Sequence, residues 1–507
     1  MDGRFSSQDD HVMRIQGYIQ PKPVLKMVKF NIYGRGLGLR MAIMFTCQLA
    51  FIFFGYDQGV FSGIVGNEDF LRIVNHPSPG ILGIIVSIYN LGCFSGTIVS
   101  FLLSDKLGPR KSMWFAMCWI IVGATLQTTS FSRAQLLVSR FITGIGTGVE
   151  TTVVPVYQSE LCEAKKRGKY VCSEPLFVGV GIVIAYWFDY GMSYVEGPVN
   201  WRLPIACQMV FAIFVILLVF GLPESPRWLY RHERNDEALQ VLCDVFDRAP
   251  DDEKVAYESE GILEAIELET LHGEYKWSQI LKKDEVQTGR RVLLAYGMQF
   301  MNQMGGINLV VYYVTSVLED NVGLSRKLSL LLGGVIQVMF VIGSFYPTFF
   351  SDRFGRRKPM MYGSFGLFIC MMLISILLSF KGKPQEKETA SASVAFFFLF
   401  MLIFGASVNC IPWVYGPEIL PLHVRTKGHI RKLALEFLRG NDNANPDCES
   451  SLEGIVYFFY PETANLTLEE IDFLFTERRH EDGVRGSVSG SGSGVNEEGN
   501  EEKGEKC

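Results

Sequence analysis

Ten separate stretches of this chain are apolar over about 20 residues each, and that grouping limits what it can fold into more than any other feature. They fall near 41–64, 81–103, 113–131, 135–157, 170–191, 203–222, 292–316, 328–350, 359–379 and 393–416. Runs of this length with few charges match the hydrocarbon thickness of a bilayer. A soluble protein would need ten helices apolar on every side, and soluble helices carry a polar face instead. The overall apolar share of 48% does not discriminate, because soluble domains reach similar values. The aromatic share of 13%, led by 38 phenylalanines, suits a surface that faces lipid. The expectation is an all-α membrane protein with a lipid bilayer as its solvent.

The polar remainder divides the chain. Residues 1–40 read as a cytosolic N-terminal segment with no cleavable signal peptide, because the first apolar run begins only near Met41 and exceeds a signal core. Residues 223–291 form a polar, partly amphipathic stretch between the sixth and seventh runs. Residues 481–507 hold seven acids against three bases and the string "GSVSGSGSG", which reads as a disordered acidic tail. The net charge of −6 therefore says little about partners, and no nucleic-acid signature appears. The eleven cysteines are scattered without metal-ligand spacing, and Cys47, Cys93, Cys118 and Cys370 sit inside apolar runs as expected core residues. Cys507 is terminal and makes no prenylation box. No cofactor or metal is expected. No nucleophile–base pair supports an enzyme.

Lysine and arginine set the orientation. The loops at 104–112 ("SDKLGPRKS"), 161–169 ("LCEAKKRGK") and 351–358 ("SDRFGRRK") are basic, as is 223–291, and the alternate loops carry fewer bases. The basic side is expected in the cytosol, with both termini. The loop after the second run matches the loop after the eighth, and "PVYQSELCEAKKRG" after the fourth matches "YGPEILPLHVRTKG" after the tenth. Two halves repeating six spans apart are expected of a transporter built from two bundles. The bundles should occupy 41–222 and 292–428, joined by a cytosolic helical loop at 223–291.

Several residues in the apolar runs carry chemistry. Asp57, in "FIFFGYDQGVFSG", is an ionisable residue inside a span, and such residues are costly there and functional by default. Arg140 of the fourth span is its natural partner. Alone in a low-dielectric site Asp57 would hold a proton, and beside Arg140 it could ionise. Proton coupling and a permanent structural ion pair both fit. Gly144, Gly146 and Gly148 read as helix-packing residues. "MNQMGGINLVVYY" places Asn302, Gln303, Asn308, Tyr312 and Tyr313 around a Gly305–Gly306 break, and amides suit a neutral polyhydroxyl ligand. Hydrogen bonding between helices is the plainer alternative. Trp413 follows Pro412, which favours a kink, and its flat face can stack on a sugar ring or simply fill a core. At one membrane surface lie Asp105, Arg110, Glu160, Arg167, Glu224, Arg227, Asp352, Arg356, Glu418 and Arg425, as a gate of ion pairs or as solvated charges.

Taken together, "GYDQG" (55–59), "DKLGPRK" (105–111), "SRFITGIGTG" (139–148), "PVYQSE" (155–160) with "KRG" (166–168), "PESPRWL" (223–229), "NQMGGIN" (302–308), "DRFGRRK" (352–358), "PWVYGPEILP" (412–421) and "PETANLTLEEID" (461–472) resemble the sugar porter family of the major facilitator superfamily. The likeness is greatest to its fungal sugar/proton symporters and covers about 41–428 and 456–475. It implies a major facilitator fold and alternating access by a monomer in the plasma membrane. A sugar or polyol would be moved with a proton, with a uniporting facilitator, a transport-inactive truncated paralogue or a sugar sensor as the alternatives. It implies a proton site at Asp57 paired with Arg140, sugar contacts at Asn302, Gln303, Asn308 and Trp413, and an inward-side lock of Glu160 and Glu418 against loop arginines. Tyr313 is taken with the sugar contacts.

The sequence departs from the family pattern in four places. The usual sugar-binding glutamine of the fifth span aligns with Pro175, beside Glu174, which becomes a candidate second proton site or a different ligand contact. Asn302 replaces the first of two paired glutamines. The first loop motif has Phe101 and Pro109 where Gly and Arg are usual. Last, residues 429–455 stand where spans 11 and 12 belong, before an exit motif at 456–480. "HIRKLALEFLRG" there can form only a short amphipathic helix, so about ten spans of twelve are expected. A mis-assigned splice or a truncated paralogue would produce this. The sequon at Asn465 is expected to face the cytosol unused.

Overall fold

The computed structural model describes residues 32–162, 167–271, 287–380, 383–420 and 460–461. Among them the chain forms helices and no strand. The first half supplies α1 (Leu37–Ile64), a short α2 (Glu68–Ile73), α3 (Pro79–Leu107), α4 (Pro109–Thr128), α5 (Arg133–Leu161), α6 (Arg167–Met192) and α7 (Val199–Phe220). The polar connection holds α8 (Pro226–Arg231), α9 (Asn235–Phe246) and α10 (Glu253–Leu271). The second half supplies α11 (Thr288–Met304), α12 (Ile307–Asp320), α13 (Arg326–Phe354), α14 (Arg357–Leu378), α15 (Glu386–Ala406) and α16 (Ile411–Ile419). Seven stretches among the described residues are individually long and apolar enough to cross a membrane. The protein is an integral membrane protein. The seventh apolar run is divided between α11 and α12, and α4 and α5 carry the third and fourth.

The glycines of α5 act as the sequence predicts. A Cβ on Gly144 would lie 2.3 Å from the Tyr89 carbonyl oxygen, and one on Gly148 would lie 2.1 Å from that of Cys93. Gly146 faces the other way, toward Ala116 and Ile120 of α4. α5 is thus wedged between α3 and α4 with backbones nearly touching. Buried Cys47, Cys93 and Cys370 are core residues as expected, whereas Cys118 is exposed because α4 turns that face outward.

Two spans of the second half are broken. α11 ends at Gly305, and Gly306 takes φ 80°, a left-handed conformation that costs glycine little. The chain then restarts as α12. Residues 407–410 form the second interruption, and Pro412 sits in the first turn of α16, where its missing N–H is no loss. The two breaks touch: Asn302 Nδ2 donates to the Val408 carbonyl at 3.2 Å.

The atypical 429–455 segment, with its short amphipathic helix, lies outside the described residues. So do the N-terminal segment before residue 32, the acidic tail, Asn465 and Arg425. Tyr460 and Pro461 of the exit motif are placed. Tyr460 Oη donates to Leu294 O of α11 at 2.9 Å, and Tyr415 Oη of α16 donates to Pro461 O at 3.0 Å.

Candidate functional site

The halves enclose a cavity of about 80 Å³ at mid-depth. α1 contributes Phe51, Phe54 and Gln58, and α6 contributes Glu174, Pro175, Val178 and Ile182. From the second half come Asn302, Gln303, Ile307, Asn308, Val311, Phe340, Phe404, Asn409 and Trp413. Asn302 and Gln303 stand just before the α11 break and Asn308 just after it. Asn308 Nδ2 donates to Gln303 Oε1 at 3.0 Å, bridging the break. This leaves amide donors and acceptors on the same wall as the Trp413 ring, the donor and acceptor mixture that hydroxyl groups satisfy.

The structure brings four of the five expected ligand contacts to this cavity. Tyr313 stands apart: its hydroxyl comes near Gly83 of α3, and its ring packs with the cluster around Phe61 and Trp201. The helical period explains this, since Tyr313 lies two residues past the cavity-facing Val311. Gln58 and Asn409 line the cavity without having been singled out in sequence. A single polar residue in or beside an apolar run was the only signal they gave.

α6 touches the second half at three levels. Toward the basic loops, the Cys172 carbonyl accepts from Thr348 Oγ1 at 3.3 Å and from Cys410 Sγ at 3.6 Å. Glu174 to Ile182 then face the cavity. Toward the opposite membrane surface, Tyr186 Oη donates to the Val311 carbonyl at 2.6 Å and lies 2.7 Å from Ser62 Oγ, whose hydroxyl can donate back to it. Thr315 Oγ1 donates to the Ser62 carbonyl at 2.8 Å, and Arg326 reaches from α13 to the Gly63 carbonyl of α1. The cavity therefore has interhelical contacts both above and below it.

Beside the cavity, Asp57 and Arg140 meet as the sequence expects. Arg140 Nη1 lies 3.4 Å from Asp57 Oδ1, and both side chains are fully buried. Gln208 of α7, which the sequence reading missed, donates from Nε2 to the same oxygen at 2.6 Å. Arg140 Nη2 donates to the Val86 carbonyl at 3.4 Å, and the guanidinium lies over the rings of Phe61, at 3.7 Å, and Tyr89, at 4.5 Å. The cation is held by π faces as much as by the carboxylate. A long ion pair with a competing glutamine leaves the carboxylate partner exchangeable. Glu150 of α5 is a further buried acid, and neither of its oxygens has a hydrogen-bond partner among the described residues.

Several loop contacts among the described residues lie within one half. Glu224 Oε1 accepts from the Arg110 backbone N–H at 3.1 Å, and Arg110 Nη2 donates to the Phe220 carbonyl at 2.7 Å. Glu160 accepts from Ser225 Oγ, whose neighbour Pro223 accepts from Tyr157 Oη at 2.7 Å. Asp105 lies 3.7 Å from Arg231, both well exposed. Arg356 Nη2 meets Glu418 Oε1 at 3.0 Å in the second half, with the arginine nearly buried. Arg227 is half-buried in α8. Arg167 opens α6 and Asp352 lies near the end of α13, while their side chains fall outside the described set. Burial raises Glu224 above the ordinary glutamate range, against the pull of the Arg110 and Ser225 amides and the nearby Arg110 and Lys111 charges.

Two helical halves around a central cavity, with an intramembrane ion pair beside it, define a membrane transporter of the major facilitator type. A family model described as "Sugar (and other) transporter" matches residues 43–438. The chain belongs to that family, the sugar porters of the major facilitator superfamily, and is not an enzyme. It is 37% identical over 450 residues to the MFS-type transporter oryC of Aspergillus oryzae, covering 84% of each chain. It is 30% identical over 485 residues to Sugar transporter STL1 of Saccharomyces cerevisiae, covering 89% of this chain and 83% of that one. Among solved structures, the proton:xylose symporter XylE bound to 6-bromo-6-deoxy-D-glucose superposes with a TM-score of 0.72 at 21% identity, covering 86% of this chain and 99% of the other. That likeness establishes the fold.

Proposed function

We propose that the protein is a proton-coupled symporter that moves a sugar or polyol by alternating access between its two halves. The observation that carries this reading is the amide- and Trp413-lined cavity lying beside the buried Asp57–Arg140–Gln208 cluster. Asn302, Gln303, Asn308 and Trp413 hold the substrate, and Tyr313 closes over the site only if α12 rotates. Asp57 takes up and releases the proton. Arg140 stabilises its ionised form, and Gln208 competes for the same oxygen, so small shifts of α1 against α5 and α7 change proton affinity. The contacts of Glu224 with Arg110, of Glu160 with Ser225 and of Arg356 with Glu418 stiffen the cytosolic surface, and Asp105, Arg167, Arg227, Asp352 and Arg425 complete the set of gating charges there. The halves are 41–222 and 292–428, with both termini and the 223–291 loop in the cytosol. The working unit is a monomer in the plasma membrane, as basic-loop asymmetry and family membership support.

The test is radiotracer uptake into cells expressing the full chain, with and without a protonophore. Symport predicts that the accumulated sugar falls to the equilibrium level when the proton gradient collapses. Undiminished accumulation sinks proton coupling, and equilibrium uptake insensitive to the protonophore identifies a facilitator.

A further inference from the structure

Glu174 is the single ionisable side chain among the residues lining the cavity. It is 1% exposed, and neither carboxyl oxygen has a hydrogen-bond partner among the described residues. Asp57, by contrast, has Arg140 and Gln208. Among the described residues, the titratable groups coupled to Glu174 are the thiols of Cys47, Cys172 and Cys410, and a thiol supplies no positive charge. A buried carboxylate without a counter-charge or hydrogen bonds is strongly unfavourable. This one borders a cavity into which a ligand can bring them.

The same space is ringed by aromatic faces: Phe51, Phe54, Phe340, Phe404 and Trp413. A carboxylate among aromatic faces is an arrangement suited to a cation, because the acid supplies the counter-charge and the rings add attraction through their quadrupoles. The amides of the opposite wall remain suited to hydroxyls. We infer that the substrate is a hydroxylated amine, an amino sugar or amino polyol, whose ammonium group is received by the Glu174 carboxylate. A neutral sugar of the same shape leaves Glu174 unpaired and binds more weakly. This rests on reading the cavity as the transport site.

The test uses purified full-length protein and a matched pair of ligands, sorbitol and 1-amino-1-deoxysorbitol, which differ in one hydroxyl replaced by an ammonium group. Thermal unfolding is followed against ligand concentration at neutral pH. The amine is expected to half-saturate at a concentration about tenfold or more below that of sorbitol. Glu174→Gln, which keeps shape and hydrogen-bonding capacity, is expected to abolish that preference while sorbitol still binds. A wild-type protein that binds sorbitol equally well or better overturns the inference and leaves the polyol cavity standing. A preference that survives in Glu174→Gln also overturns it. Binding of neither ligand to the wild-type protein rejects both the inference and the polyol reading of the cavity.

Discussion

In the first half of the molecule all six long apolar helices run unbroken, whereas in the second half two of the four described crossings are interrupted at mid-depth. Among the described residues the buried acids Asp57, Glu150, Glu174 and Asp189 all stand on the unbroken helices. The interrupted helices instead present amides, Trp413 and bare backbone around Gly305–Gly306 and 407–410. The difference has a physical basis. A continuous helix satisfies its own backbone, so polarity enters a membrane there only through side chains, and a charged one must find a partner. A broken helix frees backbone groups that neighbouring amides then bridge, as Asn302 does to Val408. The arrangement puts the buried acids on the stiff half and the cavity amides on the interrupted half.

The sharpest way to break that division is Asp57→Asn. Uphill accumulation is expected to drop about 100-fold or more, a typical loss for a proton-transfer group. Exchange of labelled for unlabelled substrate at equal concentrations should persist. Loss of exchange as well would mean that the first half also holds the substrate through this residue. The stiffness of the first half is tested by Gly148→Ala, which drives a methyl group into the Cys93 carbonyl. It should destabilise the protein by about 1–3 kcal/mol in a detergent melt. Gly366→Ala in α14 meets only side-chain carbons of Ile403, the nearest at 3.1 Å, and should cost much less than Gly148→Ala. Recognition by the second half predicts that Trp413→Ala raises the half-saturating substrate concentration about tenfold with little change in maximal rate, equivalent to about 1.4 kcal/mol.

Smaller effects come from the loops. The folded-state pKa of Glu224 is raised, so its favourable contribution is fully present below the ordinary glutamate value and is lost as pH rises through the raised value. Glu224→Gln should flatten the pH dependence of the melting temperature across that window, and an unchanged slope would remove Glu224 as its source. Asp105→Asn should change stability by less than about 0.5 kcal/mol, because its contact with Arg231 is long and solvated. The exposed and buried loop pairs would then be shown to differ in kind by comparison with Arg356→Gln, which removes a nearly buried charge from its 3.0 Å contact with Glu418 and should cost more.

Much of this organisation was legible in the chain itself. The ten apolar runs correspond to the long helices and the paired short ones, because run length and the lack of charge are local properties. The α11 break was legible from Gly305–Gly306, and the α15–α16 break from Pro412, since both residue types constrain the backbone directly. The Asp57–Arg140 contact was legible because two charges in lipid leave few other solutions. Gln208 was not, because a lone glutamine in "LPIACQMVF" does not announce which helix it faces. Tyr313 was assigned to the ligand by its proximity in sequence to Asn308, and helical geometry turns it toward α3 instead. The loop charges carried no information about whether they would pair across the halves or within them. That choice depends on how α8 folds back against α4 and α5, which no single motif encodes.

The contacts of α6 have a mechanical consequence. One rod meets the opposing half at Cys172 near one end and at Tyr186 farther along, and it carries the cavity wall between them. Pro175 lies within that rod and removes one of its internal hydrogen bonds, giving it a place to flex beside the load. Because α6 also packs along α13 between those contacts, tilting it loads one polar contact while easing the other.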